Sequence, residues 1–222
     1  MMKNLKLLLM AAISAMTLSA CAVNKTQADT TKTTEMPRHL AQRDFSLHAV
    51  NSNGEKTIVK GNDWFSFAVP VGWSTTVDSE SDKEYKVYEF KIYPPSEGTK
   101  MPSTMFVSYY AEDNEDIATY QEFIRVNSQN ILRGGKTVEW EKYEPVKEGK
   151  VAGRNAFIVA RNCRHFLHPN SKDDTAVMKK EKMYVIPAEK GYYVIRYAAE
   201  EQYFDKNLAA FEDIASSFLG LY

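Results

Sequence analysis

Runs in which bulky apolar residues alternate with polar or small ones recur along this 222-residue chain, each closed by turn residues, the pattern of half-buried β-strands. In WFSFAVP, Phe65, Phe67 and Val69 fall on one face against Ser66 and Ala68, and Pro70 and Gly72 end the run before Trp73. KVYEFKIYP and STMFVSYYA follow the same period. EKYEPVKEGKVAGRNAFIVARN, VMKKEKMYVIPA and GYYVIRYAAE predict antiparallel strands with a turn at Glu189-Lys190-Gly191. Upstream, DFSLHAV and EKTIVK flank NSNG, where Asn53-Gly54 supplies the positive φ angles of a hairpin turn.

Two stretches switch to helical spacing. Over DIATYQEFIRVNSQNILRGG, the residues Ile117, Tyr120, Phe123, Ile124, Ile131 and Leu132 predict one amphipathic helix of about five turns, with acids at its start and Gly134-Gly135 stopping it. Near the end, Phe204, Leu208, Phe211, Ile214, Ala215 and Phe218 predict a second helix with its apolar side on the core. The order strands, helix, strands, helix, with tight hairpins between strands, argues for an α/β (α+β) fold built on a mainly antiparallel sheet flanked by helices.

The first residues follow a different logic. Lys3 and Lys6 precede an apolar stretch from Leu7 to Leu18, and the small residues Ser19 and Ala20 follow, the layout of an export signal. At about 12 residues the stretch is too short for the ~20 that a membrane-spanning helix takes. Leu18-Ser19-Ala20-Cys21 resembles the lipobox of bacterial lipoproteins. That resemblance implies removal of residues 1–20 and attachment of acyl chains to Cys21, which holds the protein to a membrane without spanning it. An ordinary secreted protein with a chance Cys at the cleavage point is the plainer alternative, and a Cys21–Cys163 disulfide a further one. Ala22 after the cysteine resembles the pattern sent on, in a host with two membranes, to the outer membrane facing the periplasm.

Residues 21–43 then carry the lipidated Cys and a stretch rich in Thr, Lys, Gln and Ala with hardly a bulky apolar side chain, which reads as a flexible tether. Such a tether has a coil dimension of ~25 Å and a stretched reach of ~75 Å. Residues 44–222 read as a single globular domain, for which 44% hydrophobic and 12% aromatic content is sufficient. The 28 basic and 29 acidic residues are scattered, so charge points to no nucleic-acid partner.

WFSFAVPVGW, with Pro70, Gly72 and Trp73, the mid-chain helix, and GYYVIRYAAEEQYFDKNLAAFEDIASSF, closing in Ser217-Phe218, together resemble the PsbP-like superfamily over about residues 56–219. That superfamily includes the extrinsic photosystem II subunit, a Ran-binding import factor and many bacterial lipoproteins. The resemblance implies an α/β/α sandwich around an antiparallel sheet. It implies binding or assembly of other proteins rather than shared catalytic residues, and supports neither photosystem nor Ran binding here.

The sharpest local cluster is RNCRHFLHPN. Cys163 and His165 lie two apart, on one face of a strand, and His168 in a following loop completes three candidate ligands for zinc or copper. The same residues read equally as a buried thiol with two histidines at a hairpin end. An exposed Cys163 would be a reactive thiol with Arg161, Arg164 and His165 nearby to lower its pKa. Glu112, Asp113, Glu115 and Asp116 invite a calcium reading but lack the EF-hand spacing, and acids at a helix start already answer to the helix dipole. No nucleophile elbow, phosphate-cradling loop, zincin helix or paired-Cys motif is present.

The expectation is therefore a membrane-anchored envelope lipoprotein whose domain is not an enzyme, with no catalytic residue, metal or cofactor assigned. It binds or helps assemble envelope proteins through its sheet edge, loops or Tyr-rich surface. The alternative is a small-molecule or metal carrier with a pocket near Cys163, His165 and His168. An envelope hydrolase without a recognisable motif comes third.

Overall fold

The computed structural model describes residues 43–51, 54–77, 79–96, 98–131, 134–136 and 138–222. The expected export signal, Cys21 and the expected tether up to residue 42 lie outside the described residues, while Arg43, expected to end the tether, opens the first strand.

Two antiparallel sheets carry the fold. The smaller has the order β1 (Arg43–Val50), β2 (Lys56–Gly61), β3 (Phe65–Pro70), β12 (Leu219–Gly220). The larger runs β4 (Ser74–Val77), β5 (Val87–Tyr93), β6 (Thr104–Tyr110), β11 (Tyr192–Glu200), β10 (Ala176–Pro187), β9 (Arg154–Phe166), β7 (Glu141–Tyr143), with β8 (Lys147–Val151) also on β9. Every strand pairing among the described residues is antiparallel. The expected antiparallel sheet with helices on its faces is therefore the observed fold class.

Strand β11 lies at the centre of the large sheet and is buried on both faces. Tyr193, Ile195, Tyr197 and Ala199 join one core with Phe65, Phe67 and Val69 of β3 and with α3 (Leu208–Ser216). Tyr192 and Val194 join another with Val159, Met183 and Phe123 of α2 (Tyr120–Asn127). Gly191 in the preceding turn is required: a Cβ there would sit 2.0 Å from the Tyr110 carbonyl oxygen.

Three expectations need correcting. The mid-chain helix is eight residues long, not five turns. Thr119 caps it by accepting the Glu122 N–H at 3.2 Å, and Asn127 turns its amide back onto the Phe123 carbonyl at 2.8 Å, side-chain chemistry that competes with further helix. Ile131 is consequently 41% exposed instead of packed on the core, and Leu132 lies outside the described residues. The acidic run precedes the helix in a loop, where the Asn114 carboxamide accepts the N–H groups of Asp116 and Ile117.

The final helix is split. Phe204 sits buried in a 3₁₀ segment (Glu201–Lys206), and the α-helix starts only after Asn207. The core positions nonetheless hold, with Phe204, Phe211, Ile214, Ala215 and Phe218 all buried. Finally, alternation did not mark β4, β12 and α1 (Ser79–Tyr85), and the small sheet joins α3 in covering one face of the large sheet.

Candidate functional site

The hairpin joining β8 to β9 turns through Ala152 and Gly153, both at positive φ (49° and 80°), which delivers Arg154 and Asn155 to the rim of the large sheet. α2 packs against β9 and β10 nearby, and its first residue, Tyr120, stacks on Phe157 of β9 at 5.7 Å between centroids and 19° between planes. Between these elements opens a groove of about 550 Å³ lined by Tyr120, Gly153, Arg154, Asn155, Phe157 and Pro187. That volume lies within the range of ligand sites, ~300–1,000 Å³.

Arg154 is held in place from behind. Its two terminal nitrogens donate to the Gly220 carbonyl and to a main-chain oxygen of Tyr222. Its guanidinium carbon lies 5.9 Å from the Tyr193 ring centroid. The segment it clasps is seated tightly: Leu221 N–H donates to the Trp64 carbonyl, Tyr222 N–H to the Tyr193 hydroxyl, and a Cβ on Gly220 would meet the Tyr193 ring at 2.9 Å. Beside it Trp64, Tyr109 and Tyr222 stack at 5.2 to 5.9 Å. Burial first, then neighbouring phenols, holds the Tyr109 hydroxyl well above the ordinary tyrosine range, so it stays a donor to the Lys190 carbonyl at 2.6 Å.

Chemically the groove offers a guanidinium, a carboxamide and a phenol between aromatic walls. None of its six lining residues is a Ser, Cys, His, Asp or Glu. The lining thus supplies hydrogen-bond donors and apolar walls.

A second, smaller cleft of about 290 Å³ lies under α1 and includes Asp82, Glu89, Lys91 and Asp116 in its walls. Two of its three carboxylates are engaged in structure: Asp82 accepts the Glu89 N–H at 3.2 Å and Glu89 accepts the Ser108 hydroxyl at 2.8 Å.

The residues singled out in the sequence are placed elsewhere. Cys163 and His165 do share a face of β9, but His168 stands in the loop beyond, 3.7 Å from Asp173. Among the described residues no group of three or more His, Cys, Asp or Glu side chains is placed to hold a metal ion, so the three-ligand set at Cys163, His165 and His168 is not assembled. The Cys163 thiol is half-buried, and burial, joined by Glu181 and Glu141, raises its pKa despite Lys179 and Arg161, which corrects the idea of a thiol activated by adjacent cations. Burial and Lys179 hold His165 below its ordinary value. In the acidic loop Asp113 pairs with Lys86 at 2.7 Å. Of the residues that build the groove, Tyr120 figured in the sequence only as an apolar position of the helix, and Arg154 carried no signal beyond the Ala-Gly turn ahead of it.

No protein-family model matches the chain, and no curated protein matches its sequence. Among solved structures, a protein from Bacteroides thetaiotaomicron is 10% identical with a TM-score of 0.43, over 72% of this chain and 46% of that one. The chain thus spans less than half the length of that protein. The solution structure of cyanobacterial PsbP from Synechocystis is similar at 12% identity and a TM-score of 0.44, over 78% of this chain and 91% of that one. The fold class assigned above stands on the strand pairings themselves.

Proposed function

We propose that this chain is an envelope lipoprotein, anchored through acyl chains on Cys21, whose domain is a non-enzymatic module that binds or helps assemble another envelope protein. The observation that carries the binding role is the groove at Tyr120, Arg154 and Phe157, which has donors and aromatic walls and no acid–base pair in its lining. The anchoring half rests on Leu18-Ser19-Ala20-Cys21 and the export-type layout before it. Among the described residues no helix is long and apolar enough to cross a membrane. A small-molecule carrier is the second reading, favoured by the groove's volume; its metal version is set aside because its ligands are not brought together.

Crosslinking in intact envelopes followed by mass spectrometry tests the role. Recovery of one reproducible partner supports it. Recovery of none, together with a small molecule co-purifying at one equivalent, reverses the order of the two readings.

A further inference from the structure

We infer that the cleft under α1 is a binding site for an organic cation, an ammonium group carried on a short alkyl chain. It goes beyond the binding-module reading, because this cleft shares no lining residue with the groove at Arg154.

Alternation along β5 puts Glu89 and Lys91 on one face of the large sheet, and the registers Val87↔Tyr110 and Glu89↔Ser108 bring Tyr110 and Ser108 of β6 beside them. α1 adds Asp82 and Tyr85, and the loop ahead of α2 adds Asp116. Three carboxylates against one lysine leave the lining negative. The Ser108 hydroxyl that engages Glu89 is a neutral donor; it occupies one of about four lone-pair sites and leaves the charge in place. Asp116 is exposed, and among the described residues neither it nor Glu89 is in an ion pair.

The observation that points to a ligand is Tyr110. It is only 8% exposed, yet among the described residues its hydroxyl makes no hydrogen bond. Its ring is clamped, stacked on Tyr192 at 4.6 Å and 7° and edge-on to Phe123 at 5.5 Å, so the hydroxyl is held at the cleft wall. Burial first, then the charges of Glu89 and Asp116, raises its pKa against the opposing effect of Arg196, which sets the hydroxyl between two walls of the cleft. A buried hydroxyl without a partner is costly. An ammonium N–H entering the cleft supplies that partner, and its charge meets the carboxylates in charge-assisted bonds. Tyr85, 42% exposed, adds an aromatic surface for the cation or its alkyl chain. Among the described residues the carboxylates are not gathered to hold one metal ion, so the cation that suits them is one long enough to reach from one to the next.

A free aliphatic amine and the lysine side chain of a partner protein share this chemistry, and calorimetric titration of the purified full-length protein separates them. The probes are pentane-1,5-diamine against pentane-1,5-diol, and a blocked Gly-Lys-Gly peptide against the same peptide acetylated on the lysine side chain. The charged member of each binding pair should be at least about tenfold tighter than the neutral one, the worth of a hydrogen bond to a charged group. Binding of the lysine peptide points to a protein side chain; binding of the diamine alone points to a free amine.

Two variants keep the fold out of the question. Asp116→Asn removes a charge from an exposed side chain, and Tyr110→Phe removes a hydroxyl that bonds nothing described while keeping the ring stack. Each should leave Tm undiminished and weaken amine binding about threefold or more. Equal binding of amine and neutral probe, failure of both amines to bind, or unchanged affinity in folded Asp116→Asn and Tyr110→Phe overturns the inference.

Discussion

Arg161 on β9 donates from Nε to the Glu181 carboxylate on β10 at 2.5 Å, and the other carboxylate oxygen takes Lys179 Nζ at 3.0 Å, in a cluster where Glu181 is only 2% exposed. Burial alone would raise the Glu181 pKa, but Arg161, Lys179 and Arg196 outweigh it and hold the carboxyl below its ordinary value of 4.5. The paired registers Glu181↔Arg161 and Lys179↔Cys163 show why these side chains meet: they are cross-strand neighbours on one face.

Removing the carboxylate from this cluster leaves two cations facing each other without their anion. Glu181→Gln is expected to cost ~3 kcal/mol, the scale for breaking a buried pair from one side. In a chain this size that lowers Tm by about 6–12 °C. The pH sign follows from the lowered pKa: the stabilisation is present above pH 4.5 and is lost as pH falls through the folded value. Thermal melts from pH 7 to pH 3 should therefore converge for wild type and variant at the acid end. A constant gap across that range would contradict the assignment.

The buried phenols set the opposite limit. Tyr109 donates to the Lys190 carbonyl, Tyr192 to that of Ile117 at 2.7 Å and Tyr193 to that of Trp64 at 3.1 Å, and all three have raised pKa values, chiefly from burial. A group that binds its proton more tightly when folded gives a stabilisation complete below its unfolded pKa, here 10.0, and lost as pH climbs toward the folded value. In an alkaline titration the last phase of phenolate absorbance should coincide with loss of near-ultraviolet dichroism. Ionisation of every tyrosine before unfolding would show that these hydroxyls are not held as donors.

Much of the scaffold was legible because it is written in local alternation. Phe65, Phe67 and Val69 point one way in FSFAVP, and they do form the core face of β3. What escaped depends on contacts between distant residues. β12 exists as a strand only because Leu219 and Gly220 pair with Ser66 and Phe65. The helix at Tyr120–Asn127 ends where an asparagine side chain finds a backbone carbonyl, an outcome that apolar spacing does not encode. The groove is assembled from Tyr120, Arg154 and Pro187 on three separate elements, and Arg154 is positioned through main-chain oxygens, which any residue carries. The Cys163 cluster shows the converse: spacing placed Cys163 and His165 on one face, but the loop took His168 to Asp173.

Cys163 should be a slow thiol. Its pKa is raised from the ordinary 9.0, first by burial and then by Glu181 and Glu141, with Lys179 and Arg161 offsetting only part. Since the thiolate is the reactive form, its rate with an aromatic disulfide reagent at pH 7.5 should fall below that of free cysteine. Lys179→Ala should slow it further and Glu181→Gln should speed it, a pair of opposite signs that a purely steric barrier would not give. A rate equal to free cysteine would place the thiol outside the field of these charges.

If Cys21 takes acyl chains at ~0.8 kcal/mol per buried CH₂, two or three chains hold the domain to the bilayer for good, and the chain lacking them loses that attachment. Cys21→Ser should therefore shift the protein from the membrane fraction to a soluble form or to an unprocessed precursor that keeps residues 1–20, and should abolish incorporation of labelled palmitate. Two readouts are needed because an uncleaved apolar stretch could itself hold the precursor at the membrane: mass spectrometry of the N-terminus separates that case from true acylation. A variant that stays in the membrane fraction with a processed N-terminus would sink the proposal, and would transfer the burden of membrane attachment to the folded domain.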